Sequence, residues 1–307
     1  MHRFEYPVAL LFCICMLLAC SDQTGTEYRA DDGPGRIVVI SPAIAEMIEQ
    51  LGLADRVVGR GQFGPWSADI EKHPVVGGYD NPNVEQVMQL GAEAVLNVKS
   101  QASVPAHMRL EKAGIEVIEL DTATFEGVFA SLEELGARFN RQQQAQQIRD
   151  RLVRELNSIQ QQAQGLSKRR VLFVAGREPL FVAGPGSHVD YMINLVGGTN
   201  IAGDAHAPWQ QISMETILER QPEVIIDSSL NHVDAIRGRQ SGDWQQWPFL
   251  PAVENNRVYW IDPSQVVIPG IRMVEMTRLM GKLVHPEVFG EPQSAEYLAW
   301  GTVHAVP

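Results

Sequence analysis

Two short stretches, YDNPNVE (79–85) and WQQISME (209–215), each set an aromatic side chain six positions before a glutamate. An aromatic face stacks on flat apolar ligands at small entropic cost, and an exposed carboxylate pairs with a cation. Asn83 and Ser213 stand two positions before the glutamates and are natural N-caps, which puts Glu85 and Glu215 in a first helical turn. Gln86 is placed to complete a capping box in the first copy. Unpaired amides stabilise carboxylates there by a few tenths to about 1 kcal/mol, so capping alone accounts for one such glutamate. Two copies ask for more. If the halves of the chain are related, each offers one exposed carboxylate and one aromatic wall.

The repeat extends past the heptapeptides. EQVMQLGAEAVL (85–96) aligns without gaps on ETILERQPEVII (215–226), with Val87 against Ile217, Met88 against Leu218 and Glu93 against Glu223. Upstream, LVGG (195–198) matches VVGG (75–78).

The elements that must hold these residues follow from periodicity. RIVVI (36–40), AVLNV (94–98) and IEVIEL (115–120) predict strands, with helices near 44–52, 84–90 and 105–113. RVLFVA (170–175), EVIID (223–227) and RVYWID (257–262) predict a second set, with helices near 188–196, 214–220 and 271–284. Strands alternating with helices build parallel-rich sheets covered on both faces. Between the sets, residues 125–170 hold no proline and repeat apolar side chains at Phe139, Ile148, Leu152, Leu156 and Ile159. The expected architecture is two Rossmann-like α/β lobes, 36–125 and 168–290, joined by a single long helix over 126–167, with a tail at 291–307. A coiled coil is the other reading of the glutamine-rich stretch, but it has few apolar heptads.

The opening MHRFEYPVALLFCICMLLAC has an apolar core too short to span a bilayer and fit for a signal peptide, residues 1–19. Leu17-Leu18-Ala19-Cys20 resembles a bacterial lipobox, which makes Cys20 the acylated first residue of the mature chain. Residues 20–35, polar and rich in Gly and Asp, read as a flexible tether. All three cysteines fall within residues 1–20, so the folded part holds none and is expected to need no disulfide. The net charge of −12 argues against nucleic acid and against adsorption to anionic lipid, leaving the acyl chains to hold the protein at the membrane.

Taken together, the signal, VISPAIAEMIEQLG, VGGYDNPNVE, HAPWQQISMETIL, the helical stretch and VIPGIRMVEMTRLMGKLVHPEVF resemble the substrate-binding proteins of ABC importers for cobalamin and chelated iron. The resemblance covers about residues 36–290. It implies a protein that captures cobalamin or a related corrinoid, a ferric siderophore or haem between two lobes and delivers it to a permease dimer with its ATPase subunits. It implies that Glu85 and Glu215 form salt bridges with arginines of that permease. It also implies that Tyr79 and Trp209 line the ligand cleft and that Arg272 points into it. Trp66 and Phe63 lie where the family often carries cleft aromatics, with packing of their loop as the other reading. Haem-binding members commonly place a tyrosine directly after a Val-Gly pair. Gly78 holds that place here, which puts tyrosine ligation of haem iron in doubt. The implied protein is an exported, lipid-anchored monomer facing the periplasm or cell exterior, with little hinge motion and no resident cofactor.

Other signals point elsewhere less strongly. GRGQFG (59–64) fits a dinucleotide fingerprint, yet Pro65 and Trp66 open a loop where a helix is required. No H-x-x-x-H or H-E-x-x-H motif occurs, and His206 with His232 and a carboxylate is what remains for a zinc or manganese receptor. No G-x-S-x-G occurs, and Asp121, Asp227 and Asp262 at strand ends show no acid–base pairing, so an extracellular α/β enzyme has no visible catalytic set.

Overall fold

The computed structural model describes residues 32–229, 242–262 and 269–293. The signal segment, Cys20, most of the tether, His232, His304 and the tail beyond 293 lie outside the described residues.

The first lobe is a parallel sheet of β1 (Ile37–Val39), β2 (Val57–Arg60), β3 (Ala94–Val98) and β4 (Glu116–Leu120), in the order β2-β1-β3-β4. Its helices are α1 (Pro42–Gln50), α2 (Ala68–Glu71), α3 (Val84–Gln89) and α4 (Val104–Lys112). Right-handed crossovers put α3 and α4 on one face of the sheet and α1 on the other. Val38, Ile40, Val87, Val95 and Leu110 form the core beneath α3 and α4. With both faces covered, β1 and β3 are continuous apolar runs instead of alternating ones.

The helix expected over 126–167 is two helices, α5 (Phe125–Arg138) and α6 (Gln142–Ala163). Asn140 adopts a left-handed conformation (φ 52°), and the Arg141 amide donates to the Gly136 carbonyl at 2.7 Å. This is a Schellman ending, in which asparagine serves where glycine is usual. Gly136 lets α6 cross close by: a Cβ there would sit 2.5 Å from Ala145 Cβ. The chain leaves the first sheet through α5 and reaches the second through α6, whose 22 residues reach about 33 Å.

The second lobe contains β5 (Arg169–Arg177), β6 (Leu180–Ala183), β7 (Gly198–Asn200), β8 (Trp209–Gln211), β9 (Val224–Asp227) and β10 (Val258–Trp260). Its helices are α7 (His188–Leu195), α8 (Met214–Arg220), α9 (Pro251–Glu254), α10 (Met273–Val284) and α11 (Pro286–Phe289). The parallel order β7-β5-β9-β10 reproduces β2-β1-β3-β4, and β6 and β8 add an antiparallel edge beside β5. The repeat seen in the sequence is therefore α3–β3 against α8–β9.

Its proposed upstream extension is corrected by the structure. Val75–Gly78 follow β2, whereas Leu195 closes α7 and Gly198 opens β7. The true counterpart of Val196-Gly197 is Leu51-Gly52: in each case a helix ends and the next glycine turns left-handed (φ 70° at Gly52, 82° at Gly197).

One apolar cluster runs through both lobes. Ile44 of α1, Leu132 of α5, Leu152 and Leu156 of α6, Ile193 of α7 and Leu283 of α10 all belong to it.

Candidate functional site

In a parallel α/β sheet, helices that follow strands begin at the carboxyl edge, and that edge is where ligands collect. Here the carboxyl edges of both sheets border one cavity of about 400 Å³. The first lobe contributes Ser41 after β1, Lys99 after β3, Thr122 after β4, and Tyr79; the second contributes His188, Trp209 and Pro269. The volume lies toward the low end for small-molecule sites.

Tyr79 is held from behind. Its carbonyl accepts the Asn97 Nδ2 hydrogen at 2.8 Å, and Asn97 is fully buried at the end of β3. The Val98 amide donates to Asn97 Oδ1 at 2.9 Å, which fixes the orientation of the Asn97 amide. The second Nδ2 hydrogen faces His107 Nε2 at 3.1 Å, while His107 Nδ1 lies 3.1 Å from Glu119 Oε1. These partners require Nε2 to accept and Nδ1–H to donate, so His107 is the neutral Nδ1–H tautomer. Burial pushes the Tyr79 phenol up from its ordinary value, and its hydrogen bond with Ser41 works against that rise.

Trp209 is held differently. It lies in β8, not in a loop, and pairs with Ala183 of β6. Its ring meets Phe173 edge-on at 6.3 Å and the His188 ring at 5.7 Å.

Glu85 and Glu215 are exposed in the first turns of α3 and α8. The N-caps are those expected: Asn83 Oδ1 accepts from the Gln86 amide at 3.1 Å, and Ser213 Oγ from the Thr216 amide at 3.1 Å. The reciprocal half of the capping box is taken elsewhere, because the Asn83 amide donates to the Val76 carbonyl at 2.6 Å. Helices running back from the carboxyl edge put both glutamates on the cleft side of their own lobes.

The remaining predicted residues lie outside the cavity lining. Arg272 forms an ion pair with Glu46 of α1, bridging the lobes behind Pro269. Burial lowers its guanidinium to about 10, opposed by the charge of Glu275, so it stays cationic at neutral pH. Next to it the lobes touch: a Cβ on Gly270 would sit 3.1 Å from Ala43 Cβ. Phe125 and Tyr191 make a further contact between lobes, with ring centroids 4.6 Å apart. Trp66 packs on the main core under the Arg60 guanidinium, 5.7 Å from its ring centroid. Phe63 is 56% exposed and leans against Gly78, beside Tyr79. The GRGQFG glycines serve packing, since a Cβ on Gly61 would lie 2.1 Å from the Ile40 carbonyl oxygen.

Sequence reasoning missed Ser41, Lys99 and Pro269. The first two directly follow predicted strands, and the carboxyl-edge rule was the signal that would have found them. Among the described residues no group of three or more His, Cys, Asp and Glu side chains gathers as metal ligands.

Comparison with known proteins agrees with this geometry. The family described as "Periplasmic binding protein" matches residues 37–265. An uncharacterized ABC transporter substrate-binding lipoprotein, YvrC of Bacillus subtilis, is 29% identical over 277 residues, 88% of this chain and 86% of its own. A vitamin B12-binding protein of Salmonella typhimurium is 28% identical over 191 residues, 62% of this chain and 71% of its own. Among solved structures, the haem-binding protein HutB of Vibrio cholerae aligns with a TM-score of 0.73 at 22% identity, covering 82% of this chain and 99% of that one. The vitamin B12-binding protein BtuF of the same organism aligns at 0.69 and 20%, covering 82% and 96%. With two like lobes, a helical link, a shared cleft and a family match over most of its length, the chain belongs to the periplasmic binding proteins and is a solute-binding protein, not an enzyme.

Proposed function

We propose that this chain is the substrate-binding lipoprotein of an ABC importer, capturing cobalamin or a related corrinoid between its lobes and handing it to the permease. The observation that carries the reading is that Tyr79 and Trp209, one from each lobe, line one cavity. Flat rings on two walls suit a flat macrocycle, which buries much area while freezing few torsions. Relatives named for vitamin B12 binding support the choice of ligand. The test is the absorption spectrum kept after desalting protein mixed with cyanocobalamin, haemin or a ferric siderophore. Retention of cyanocobalamin by the wild-type chain is the expected result, and retention of either iron ligand alone overturns the corrinoid assignment. A second reading, a ferric chelate or haem as cargo, is favoured by Lys99, a cation on the cavity wall.

Glu85 and Glu215 are the proposed docking points for arginines of the permease, and Cys20 is the proposed lipid anchor. Because both glutamates are exposed first-turn residues, Glu85→Lys and Glu215→Lys should leave ligand retention within about twofold while uptake by cells is lost. A parallel fall in ligand affinity would make them pocket residues instead.

A further inference from the structure

Among the described residues the cavity lining holds one formal anion, Asp121, and one formal cation, Lys99, and of the two side chains only that of Asp121 is engaged. Asp121 turns Oδ1 to the Ala123 amide at 3.0 Å, closing the turn that leads into α5. Lys99 is anchored through its backbone, whose amide donates to the Leu120 carbonyl at 3.0 Å. Its exposed ammonium makes no hydrogen bond or ion pair with any described residue.

Three helices also begin at this cavity, two from the first lobe's side and one from the second's. Ser41 is the N-cap of α1, Thr122 and Ala123 immediately precede the N-cap of α5, and His188 is the first residue of α7. Each helix start carries roughly half a positive charge on its unpaired amides. The first turn of α1 holds no acidic residue, and in α7 Asp190 is turned to Asn200 Nδ2 at 2.8 Å; Glu126 remains to offset α5. In a chain of net charge −12, Lys99 is thus the one unpaired charge among the described residues of the cavity lining, beside the start of α1, and low-dielectric walls strengthen its pull on an anion.

We propose that the cleft recognises a negatively charged group on its ligand, and that Lys99 is the residue that reads it. This rests on the cavity being the site of the transported ligand. Two probe pairs separate charge from ring: cyanocobalamin with cobinamide, which lacks the nucleotide phosphate, and haemin with its dimethyl ester. Dissociation constants are read by tryptophan quenching for the wild-type chain, Lys99→Glu, Lys99→Arg and Trp209→Ala.

The expected result is that Lys99→Glu weakens the anionic member of the bound pair by about tenfold or more, the scale of a lost charge-assisted hydrogen bond. Lys99→Arg should stay near wild type, the member lacking the anionic group should lose no affinity in any Lys99 variant, and added salt should erode the difference. If an anionic probe binds in a manner sensitive to Trp209→Ala but equally to wild type and Lys99→Glu, the cavity stands and this inference falls. If no probe binds in a Trp209-sensitive way, both fall. Lys99 is exposed, so its variants test recognition and not folding.

Discussion

Asn97 and Asp227 occupy the same position in the two lobes, at the ends of β3 and β9, and both are fully buried. The amide serves neutral partners: a carbonyl of the Tyr79 turn, an imidazole and a backbone amide. The carboxylate serves a charged one. Arg177 reaches Asp227 Oδ2 through Nε at 3.0 Å and Nη2 at 2.7 Å, with the Trp244 indole N–H at 2.8 Å. Oδ1 accepts from the Ser229 amide at 2.9 Å and from its hydroxyl. The Arg177 guanidinium also stacks over Trp244, 5.1 Å from its centroid. A duplicated scaffold has thus spent one position in two ways. In the first lobe it braces the cleft; in the second it ties the β5–β6 hairpin to β9 and to Trp244, while Trp209 is held by a strand ladder and ring contacts.

The comparison is open to breaking in four places. The largest effect belongs to Asp227→Ala, which removes the carboxylate shared by Arg177 and the Trp244 indole and leaves a buried hole. It should cost about 3–5 kcal/mol in denaturant unfolding, and a loss below 1 kcal/mol would mean that the carboxylate is not the tie described. Next is Trp209→Ala, expected to reduce ligand affinity by about thirtyfold, or about 2 kcal/mol, with stability changed much less than by Asp227→Ala. His107→Ala should cost about 1–3 kcal/mol, because Asn97 Nδ2 and Glu119 lose their partner in a site where His107 is only 5% exposed. It should also weaken ligand binding through Tyr79, whereas a comparable loss of stability introduced within α9, by Ala252→Gly, should not.

The smallest effect is at Glu287. Burial works to raise its carboxyl, but bonds from His285, its own backbone and Arg169 outweigh that and hold it at about 2. A value depressed in the folded state stabilises the protein above the ordinary carboxylate range and loses that stabilisation as pH falls from about 4.5 to 2. The side chain is 49% exposed, so screening limits the term to below about 1 kcal/mol. Glu287→Gln should flatten that part of the acid unfolding curve and lower neutral stability by the same small amount, below about 1 kcal/mol.

Much of this organisation is legible in the sequence. The buried strands β1, β3, β5 and β9 show as apolar runs because they are covered on both faces, and β4 shows through the apolar positions of IEVIEL although Glu116 and Glu119 are exposed. Glu85 and Glu215 show because caps are local chemistry. The short strands β6, β7 and β8 do not, since three or four residues with exposed positions leave no periodicity to detect. The break at Asn140 was also invisible, for a single left-handed asparagine sits among strong helix formers. Lys99 carried no motif beyond its place directly after a predicted strand; the topology brings it to the same cavity as three helix starts. Arg272 was placed in the cleft by resemblance, yet Glu46 on the facing lobe binds it, a partner that no local pattern reveals.

The apolar cluster threading α1, α6 and α10 has a mechanical consequence. A jaw hung on extended strands swings by rotating a few backbone bonds, but here any wide gape must slide interlocked hydrocarbon along α6. Motion at the mouth is then bounded by packing rather than by tether length. Heat should melt both halves in one calorimetric step, each half serving as the other's wall.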